Sequence, residues 1–568
     1  MFKNEDGLNV GVILSLRVLN TVIGLLLVVF IGNAKAATIV PDHIIRAADA
    51  GRPVWVFLSD KGPSDYTAAL TRQHFLSERA MRRLALRAAA YPPELDWPVY
   101  AGYTEILEDA GLTVRVESRL LNAVSGLASP SAIERIADLP FVDSFRVVAA
   151  CQRSVPEFPG QEPVRKPAVP NDAYVFDYGA SQEQIELLQV ERAHAAGFDG
   201  DGVFLCFLDT GFDLDHPAFD SLRLIATYDF LNDDADVGDN DGAQMTHGTA
   251  TLSTCAALDP GAMIGVAPRA SYALGKTEDV RLEAPLEEDT WVAGAEWADT
   301  IGCDIISSSV GYSDWYTYPD MDGNTAVITV FADLLAARGV LTVNAAGNEG
   351  NKSWRYIIAP ADGDSVLAVG ATYFDGTRTS FSSRGPTADG RIKPDVMAPG
   401  FGVTGANAGT TSYSGKTGTS FAAPLVAGVC ALMLQQDPSL TPWEIIERLR
   451  KTATRANDPD TLMGWGLVQT AEAMAIPAVV SESGIRAYPN PSFDGRITII
   501  TPDTVGTSEF QVFTVSGQNV HTDHFQGSQV SWDGVNSDGR PVASGIYLIR
   551  VITPIREDIL KVAIMRDR

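Results

Sequence analysis

Three residue types that together carry out nucleophilic hydrolysis occur far apart in this chain. An aspartate, Asp209, sits in Leu208-Asp209-Thr210-Gly211, a histidine, His247, in Thr246-His247-Gly248-Thr249-Ala250, and a serine, Ser420, in Gly418-Thr419-Ser420-Phe421-Ala422-Ala423-Pro424. A serine hydroxyl attacks a carbonyl carbon only when a base takes its proton and an acid holds that base in the right tautomer. Ser420 opens an apolar run that reaches Leu434 and reads as a buried helix. Its hydroxyl then lies near unsatisfied backbone N–H groups and the positive end of the helix dipole, where negative charge is tolerated. A lone Ser or Thr before a helix is ordinarily a plain N-cap, so its partners decide.

Three histidines are candidates for the base. His194 lies in Val190-Glu191-Arg192-Ala193-His194-Ala195, a helical surface pattern, and His216 precedes Pro217 in a loop. His247 stands beside a glycine at the start of an apolar helix, the best placement of the three, although a histidine there is usually a polar cap or surface residue. Asp209 follows the apolar run Val203 to Leu208 directly, so its carboxylate belongs at the carboxyl edge of a sheet. Its ordinary reading is an Asx turn closing the strand. The five residues Asp233, Asp234, Asp236, Asp239 and Asp241 form an acidic loop before His247. Calcium takes such carboxylates, but the spacing fits no defined loop, and a solvated acidic turn is the expectation.

The elements that must hold these residues follow from the pattern between about 178 and 475. Near-continuous apolar strands (Val203 to Leu208, Asp304 to Ser309, Val340 to Ala345) alternate with helical stretches (Thr246 to Ala257, Thr290 to Ile301, Val327 to Arg338). That alternation predicts an α/β region with a parallel sheet covered by helices on both faces and active-site residues at the carboxyl ends of the strands.

The order Asp209, His247, Ser420 excludes the α/β-hydrolase design, whose order is Ser, Asp, His with the serine in GxSxG; Asp, His, Ser is the order of subtilisin. The three blocks, with Ala345-Ala346-Gly347-Asn348-Glu349-Gly350 as a fourth and Ser309-Val310-Gly311 as a fifth, resemble the signatures of the subtilisin-like serine proteases, or subtilases. The resemblance implies Ser420 as nucleophile, His247 as general base and then acid, Asp209 as its orienter, and Asn348 as oxyanion donor. It also implies substrate binding by Ser309, Val310, Gly311, Ala345, Ala346 and Gly347; the sequence does not reveal the side-chain preference, since Tyr312 or Trp315, beyond Ser309-Val310-Gly311, could either fill or line the specificity pocket. No cofactor is implied for catalysis, and a structural calcium is possible in the family. A binding protein of the same shape, or an acyl transferase using an amine in place of water, are the competing readings; the intact triad with Asn348 argues against the first.

The flanks carry their own signals. Lys3 and Arg17 precede the apolar run Val18 to Ile31 and the small-residue site Ala34-Lys35-Ala36. The run is shorter than the ~20 residues of a membrane span, and residues 1–36 read as a cleaved signal peptide. Residues 37–150 predict a small α+β unit. Its strands are Val54 to Leu58, Leu112 to Val116 and Phe141 to Val148, and its helices run from Tyr66 to Ala90 and from Ala132 to Ala137. This unit resembles a subtilase propeptide, cut from the catalytic region (178–475) within the Pro-rich linker 151–177. Past the linker 476–484, short alternating strands with Asp-Gly and Ser-Gly turns predict a β-sandwich over 485–568. Tyr488-Pro489-Asn490-Pro491, Trp532-Asp533-Gly534, Asn536, Gly539 and Ser544-Gly545-Ile546-Tyr547 resemble the type IX secretion sorting domain of Bacteroidetes, which implies a secretion-machinery partner and passage across an outer membrane. A substrate-binding module is the alternative for this segment. The net charge of −28 argues against nucleic acid as a partner, leaving polypeptide substrates and the chain's own propeptide. Five cysteines (Cys151, Cys206, Cys255, Cys303, Cys430) form no framework, and a Cys255–Cys303 bridge is conceivable but not favoured.

Overall fold

A computed structural model describes residues 38–149, 175–239, 242–279, 287–313, 316–476, 485–488, 492, 495–501, 506–555 and 557–564. The apolar N-terminal run, most of the 151–177 linker, Asp241, Trp315 and Pro489 to Pro491 lie outside the described residues.

The N-terminal unit is built on a four-stranded antiparallel sheet. Its elements are α1 (Asp42–Asp49), β1 (Val54–Leu58), α2 (Glu78–Arg87), α3 (Ala101–Asp109), β2 (Thr113–Ser118), β3 (Ala123–Leu127), α4 (Pro130–Ala137) and β4 (Val142–Val147), with strand order β2-β3-β1-β4. The two-residue period of a strand explains how one sheet serves two neighbours. On β1, Val54 and Val56 join Ile44, Leu107, Ile133 and Ile136 in the unit's own core. Trp55, between them, packs instead with Trp291, Val327 and Phe331 of the large α/β unit. The single helix expected from Tyr66 to Ala90 is broken: a short helix ends at Thr67, a 3₁₀ turn follows, and α2 begins at Glu78. Ser77 restarts the chain as an N-cap, its Oγ accepting the Ala80 N–H at 3.1 Å.

The large unit holds a seven-stranded sheet. Its elements are β5 (Phe204–Asp209), β6 (Arg223–Asp229), α5 (Gly242–Ala256), β7 (Ser271–Lys276), α6 (Glu287–Ile301), β8 (Ile305–Ser308), α7 (Val327–Ala337), β9 (Leu341–Ala345), β10 (Leu367–Thr372) and β11 (Val396–Pro399). The order is β11-β10-β9-β8-β5-β7-β6, and every pairing is parallel. Both faces are dry. On β5, Leu205 and Phe207 pack toward the face that carries α5, while Phe204, Cys206 and Leu208 pack toward α6 and α7. An antiparallel ribbon, β12 (Phe401–Ala406) and β13 (Tyr413–Thr417), leads into α8 (Thr419–Gln436). Helix α8 is buried from Thr419 to Leu434. It is the one helix among the described residues long and apolar enough to cross a membrane, and here it is the core helix. Cys206, Cys255, Cys303 and Cys430 are buried and unbridged, so the conceivable Cys255–Cys303 link is absent.

The last unit has two antiparallel sheets around one apolar core. One is β14 (Arg486–Tyr488), β15 (Ile497–Ile500) and β18 (Gln529–Trp532). The other, in the order β17-β16-β19-β20, uses β16 (Thr507–Thr514), β17 (Asn519–Gln526), β19 (Gly545–Ile552) and β20 (Glu557–Ile564). Ile497, Phe510, Trp532, Ile549 and Leu560 fill the space between them, a small β-sandwich.

Candidate active site

Strand β5 delivers Asp209 to the carboxyl edge of the sheet, level with Lys276 at the end of β7. Helix α5 brings His247 to it. A Cβ on Gly248 would stand 2.3 Å from the Gly211 carbonyl oxygen and 3.2 Å from Asp209 Cβ, so only glycine lets the helix approach this closely. The result is a 2.6 Å contact between His247 Nδ1 and Asp209 Oδ1. A buried carboxylate accepts, so Nδ1 carries the proton and Nε2 is the acceptor nitrogen. The Thr210 N–H donates to Oδ1 at 2.8 Å, and Thr251 Oγ1 lies 3.0 Å from Oδ2.

Ser420 is the second residue of α8 and almost fully buried. It is not the cap. Gly418 takes the N-cap position with φ +147°, a conformation reserved for glycine. Ser420 Oγ donates to the Ser309 carbonyl at 3.3 Å, and Ser309 Oγ donates to the Ser420 carbonyl at 2.8 Å, tying α8 to the end of β8. The His247 ring lies with its centroid 5.8 Å from that of Phe421, over the first turn of the same helix.

Asn348 follows β9 and reaches this turn from the other side. Its Oδ1 accepts the Thr419 N–H at 3.0 Å and Thr419 Oγ1 at 3.1 Å. That fixes the amide orientation and leaves Nδ2 as the donor end, 3.6 Å from where a Gly418 Cβ would be. Strands β8 and β9 run side by side with Ser308 opposite Asn344. Ser309-Val310-Gly311 and Ala345-Ala346-Gly347 therefore leave the sheet as neighbouring segments beside Ser420. Asn344 Nδ2 braces the Val310 carbonyl at 3.0 Å, and the Ala346 N–H donates to the Val369 carbonyl at 2.9 Å. Tyr312, one candidate for filling or lining the pocket, is fully buried and pairs by backbone with Ala359.

The other histidines are structural. His194 is buried, not on a surface: the Val266 carbonyl takes its Nε2 proton at 2.8 Å, so its Nδ1 accepts the Tyr178 hydroxyl at 2.8 Å. Burial pushes it down to about 4. A six-residue helix is too short for its sequence to reveal which face is covered. His216 caps a 3₁₀ turn through Nδ1, accepting the Ala218 N–H, and bonds the Ser412 carbonyl through Nε2.

The described carboxylates of the acidic loop are engaged by their own chain. Asp234 and Asp236 accept backbone N–H groups two residues on, and Asp233 accepts the Tyr228 hydroxyl. Asp239 joins the buried Asp229 in pairing with the buried Lys276 ammonium, at 3.1 and 3.0 Å. Among the described residues no group of three or more His, Cys, Asp or Glu side chains is arranged to hold a metal ion. Three contributors went unread in the sequence. Lys276 anchors this loop. Gln244, one turn before His247, donates to the carbonyls of Thr210 and Glu278 at 2.6 and 2.5 Å. Thr251 was available from spacing, because it lies four residues after His247 and so on the same helix face.

A buried Asp–His pair and a serine at a helix start, on the carboxyl edge of a parallel sheet, mark a hydrolase of the serine type. Comparison with known proteins gives the family. The model described as the subtilase family matches residues 200–466, and that of the peptidase S8 propeptide domain of Bacteroidota matches residues 53–162. Subtilisin DY of Bacillus licheniformis is 34% identical over 292 residues, which is 51% of this chain and 97% of that protein. Subtilisin E of Bacillus subtilis (strain 168) is 29% identical over 375 residues, 65% of this chain and 85% of its own. A solved protease from Pseudoalteromonas arctica PAMC 21717 is 25% identical, covers 53% of this chain and 98% of its own, and has a TM-score of 0.43. The chain belongs to the subtilase family of serine endopeptidases and carries an N-terminal propeptide domain of the Bacteroidota type.

Proposed function

We propose that the protein is a secreted endopeptidase that cleaves polypeptides through an acyl-enzyme on Ser420 and is made as a self-processed precursor. The 2.6 Å contact between His247 and Asp209, made beside the first turn of the helix that carries Ser420, is the observation that supports this reading best. The substrate backbone pairs with Ser309-Val310-Gly311, which forms one wall of the specificity pocket, with Ala345-Ala346-Gly347 beside it. Its arrival turns the Ser420 hydroxyl from the Ser309 carbonyl toward His247 Nε2; such bonds tighten when substrate binds. His247 takes the proton as Oγ attacks, then gives it to the leaving amine. Asp209 keeps the tautomer and stabilises the imidazolium. The Asn348 amide and the Ser420 N–H meet the oxyanion, where fixed donors count most. Water then repeats the sequence to free the acyl group. No cofactor enters these steps. In the test, a serine-directed phosphonate labels the mature protein, and the modified peptide is read by mass spectrometry. Label on Ser420 with loss of proteolysis supports the mechanism, and full proteolysis by Ser420→Ala refutes it.

The N-terminal unit is the inhibitor of this cleft and its removal is autocatalytic, with the cut between Ala150 and Tyr178. Purified Ser420→Ala is expected to remain full length; processing to normal size in that protein alone contradicts self-cleavage. The C-terminal sandwich acts as a sorting signal of the type IX kind, recognised by secretion machinery. Deleting residues 485–568 is then expected to trap protease inside the cell, whereas normal export of the truncated chain makes the sandwich a binding module.

A further inference from the structure

We infer that Thr251 is a positioning residue for Asp209, holding the second carboxylate oxygen so that the first stays aimed at His247; this deepens the triad proposed above and rests on it. Thr251 and His247 are four residues apart on α5, so one helix face presents both to one carboxylate. His247 Nδ1 and the Thr210 N–H take Oδ1, and Thr251 Oγ1 stands 3.0 Å from Oδ2. The Thr251 hydroxyl is also 3.0 Å from the Gly248 carbonyl, the back-bond that helical threonines usually make. The two acceptors compete for one proton, and a bond to an ionised acceptor is about twice as strong as one to a neutral carbonyl.

Neighbouring hydroxyls on the same helix show the contrast. Thr249, Ser253 and Thr254 are equally buried and give their protons to helix carbonyls. Lys276 and Glu278 are charged residues on the neighbouring strand end. Lys276, opposite Asp209 in register, gives its ammonium to Asp229 and Asp239. The carboxylate of Glu278 follows two residues further along that chain, beside the carbonyl that Gln244 holds. Thr251 thus acts on both the rotamer of Asp209 and the charge it shows to the imidazole. A donor on Oδ2 draws negative charge away from Oδ1. Without it the Asp–His pair is more basic and less well aimed.

The test uses full-length protein allowed to mature, with Thr251→Val, Thr251→Ala and Thr251→Ser compared at active-site concentrations titrated with a serine-directed reagent. Thr251→Val is expected to lower kcat about tenfold, the size of a charge-assisted hydrogen bond, with KM within about twofold on the same scale. The acid limb of its kcat–pH profile moves to higher pH, and Thr251→Ser restores both. If Thr251→Val does not fold, as judged by its melting curve, Thr251→Ala carries the comparison. Unchanged kcat and acid limb overturn the inference, as does a loss that serine fails to restore or that leaves the limb in place, since packing alone would give that. Ser420→Ala separates the two levels: turnover by that variant removes the triad itself, while a dead Ser420→Ala beside a wild-type-like Thr251→Val removes only Thr251.

Discussion

Two buried aspartates of the catalytic unit, Asp209 and Asp299, are held in opposite ways. Asp299, on α6, is saturated with cations: Arg83 and Arg119 reach it from the N-terminal unit, and Arg338 from its own unit at 2.9 and 3.0 Å. Burial alone would raise its pKa, but the three guanidiniums outweigh that and hold it well below the usual carboxylate range. Asp209 has neutral donors around it, an imidazole, a hydroxyl and a backbone amide. A carboxylate paired with fixed cations is a rivet, whereas one paired with neutral groups is, in the mechanism proposed above, available to a cation that forms during turnover.

The rivet belongs to an interface of the same kind. Arg79, Arg83 and Arg87 repeat every four residues along α2, and Arg79 and Arg87 clasp Asp304 at 2.7 and 2.9 Å. Arg115 reaches Asp289 at 2.8 Å, and Glu296 receives Ser118 Oγ and the Arg119 N–H at 2.6 and 2.8 Å. Arg338 pairs with Asp299 within the large unit, so release of the N-terminal unit, as proposed above, would not leave the buried carboxylate bare.

Five changes sharpen this contrast, in falling order of effect. Ser420→Ala is expected to cut kcat by about 10⁶ without altering the melting curve, and Asp209→Asn by about 10⁴; both magnitudes come from known serine proteases, subtilisin among them, and not from this chain. A loss of stability in Asp209→Asn as large as that in Asp299→Ala would erase the distinction between a working and a riveting aspartate. Asp299→Ala should leave kcat per folded molecule intact but cost about 3–5 kcal/mol, the penalty for stranding buried partners of an ion cluster, read by denaturant unfolding of the precursor. Asn348→Ala is expected to lower kcat about 10²–10³-fold, again a magnitude known from subtilisin itself, with KM little changed. Arg87→Ala removes half of the Asp304 clasp and should speed dissociation of the processed N-terminal unit about tenfold or more, measured by size-exclusion chromatography.

The pH dependence of the precursor gives the same contrast. A native pKa below the open-chain aspartate value of about 3.9 means that the Asp299 contribution is fully present above that pH. It is lost only as pH falls through the depressed native value. The interface should therefore hold at pH 5, and an Asp299-dependent fall in melting temperature there would reverse the sign.

What could be read in the sequence was local. The apolar strands ending in Asp209 and Ala345, and the serine opening an apolar helix, each declare themselves within ten residues. The groups brought together by the fold did not. Arg83 and Asp299 are 216 positions apart, and neither has a neighbour in sequence that hints at the other. His194 looked exposed because Ala-His-Ala is compatible with either face of a short helix. The Tyr66 to Ala90 stretch is helical in composition, and only the capping geometry at Ser77 shows where it breaks. Ribbon β12–β13, with Gly402, Gly405 and Gly415, has too little side chain to carry an alternating pattern.

The role proposed for Asp209 is tested most directly by proton NMR of the mature protein, following the His247 Nδ1–H resonance against pH. A strongly downfield proton that titrates with the kcat acid limb, and disappears in Asp209→Asn, is the expected result. A spectrum without it in active wild-type protein, or one unchanged by Asp209→Asn, would show that the carboxylate and the imidazole do not work as a pair.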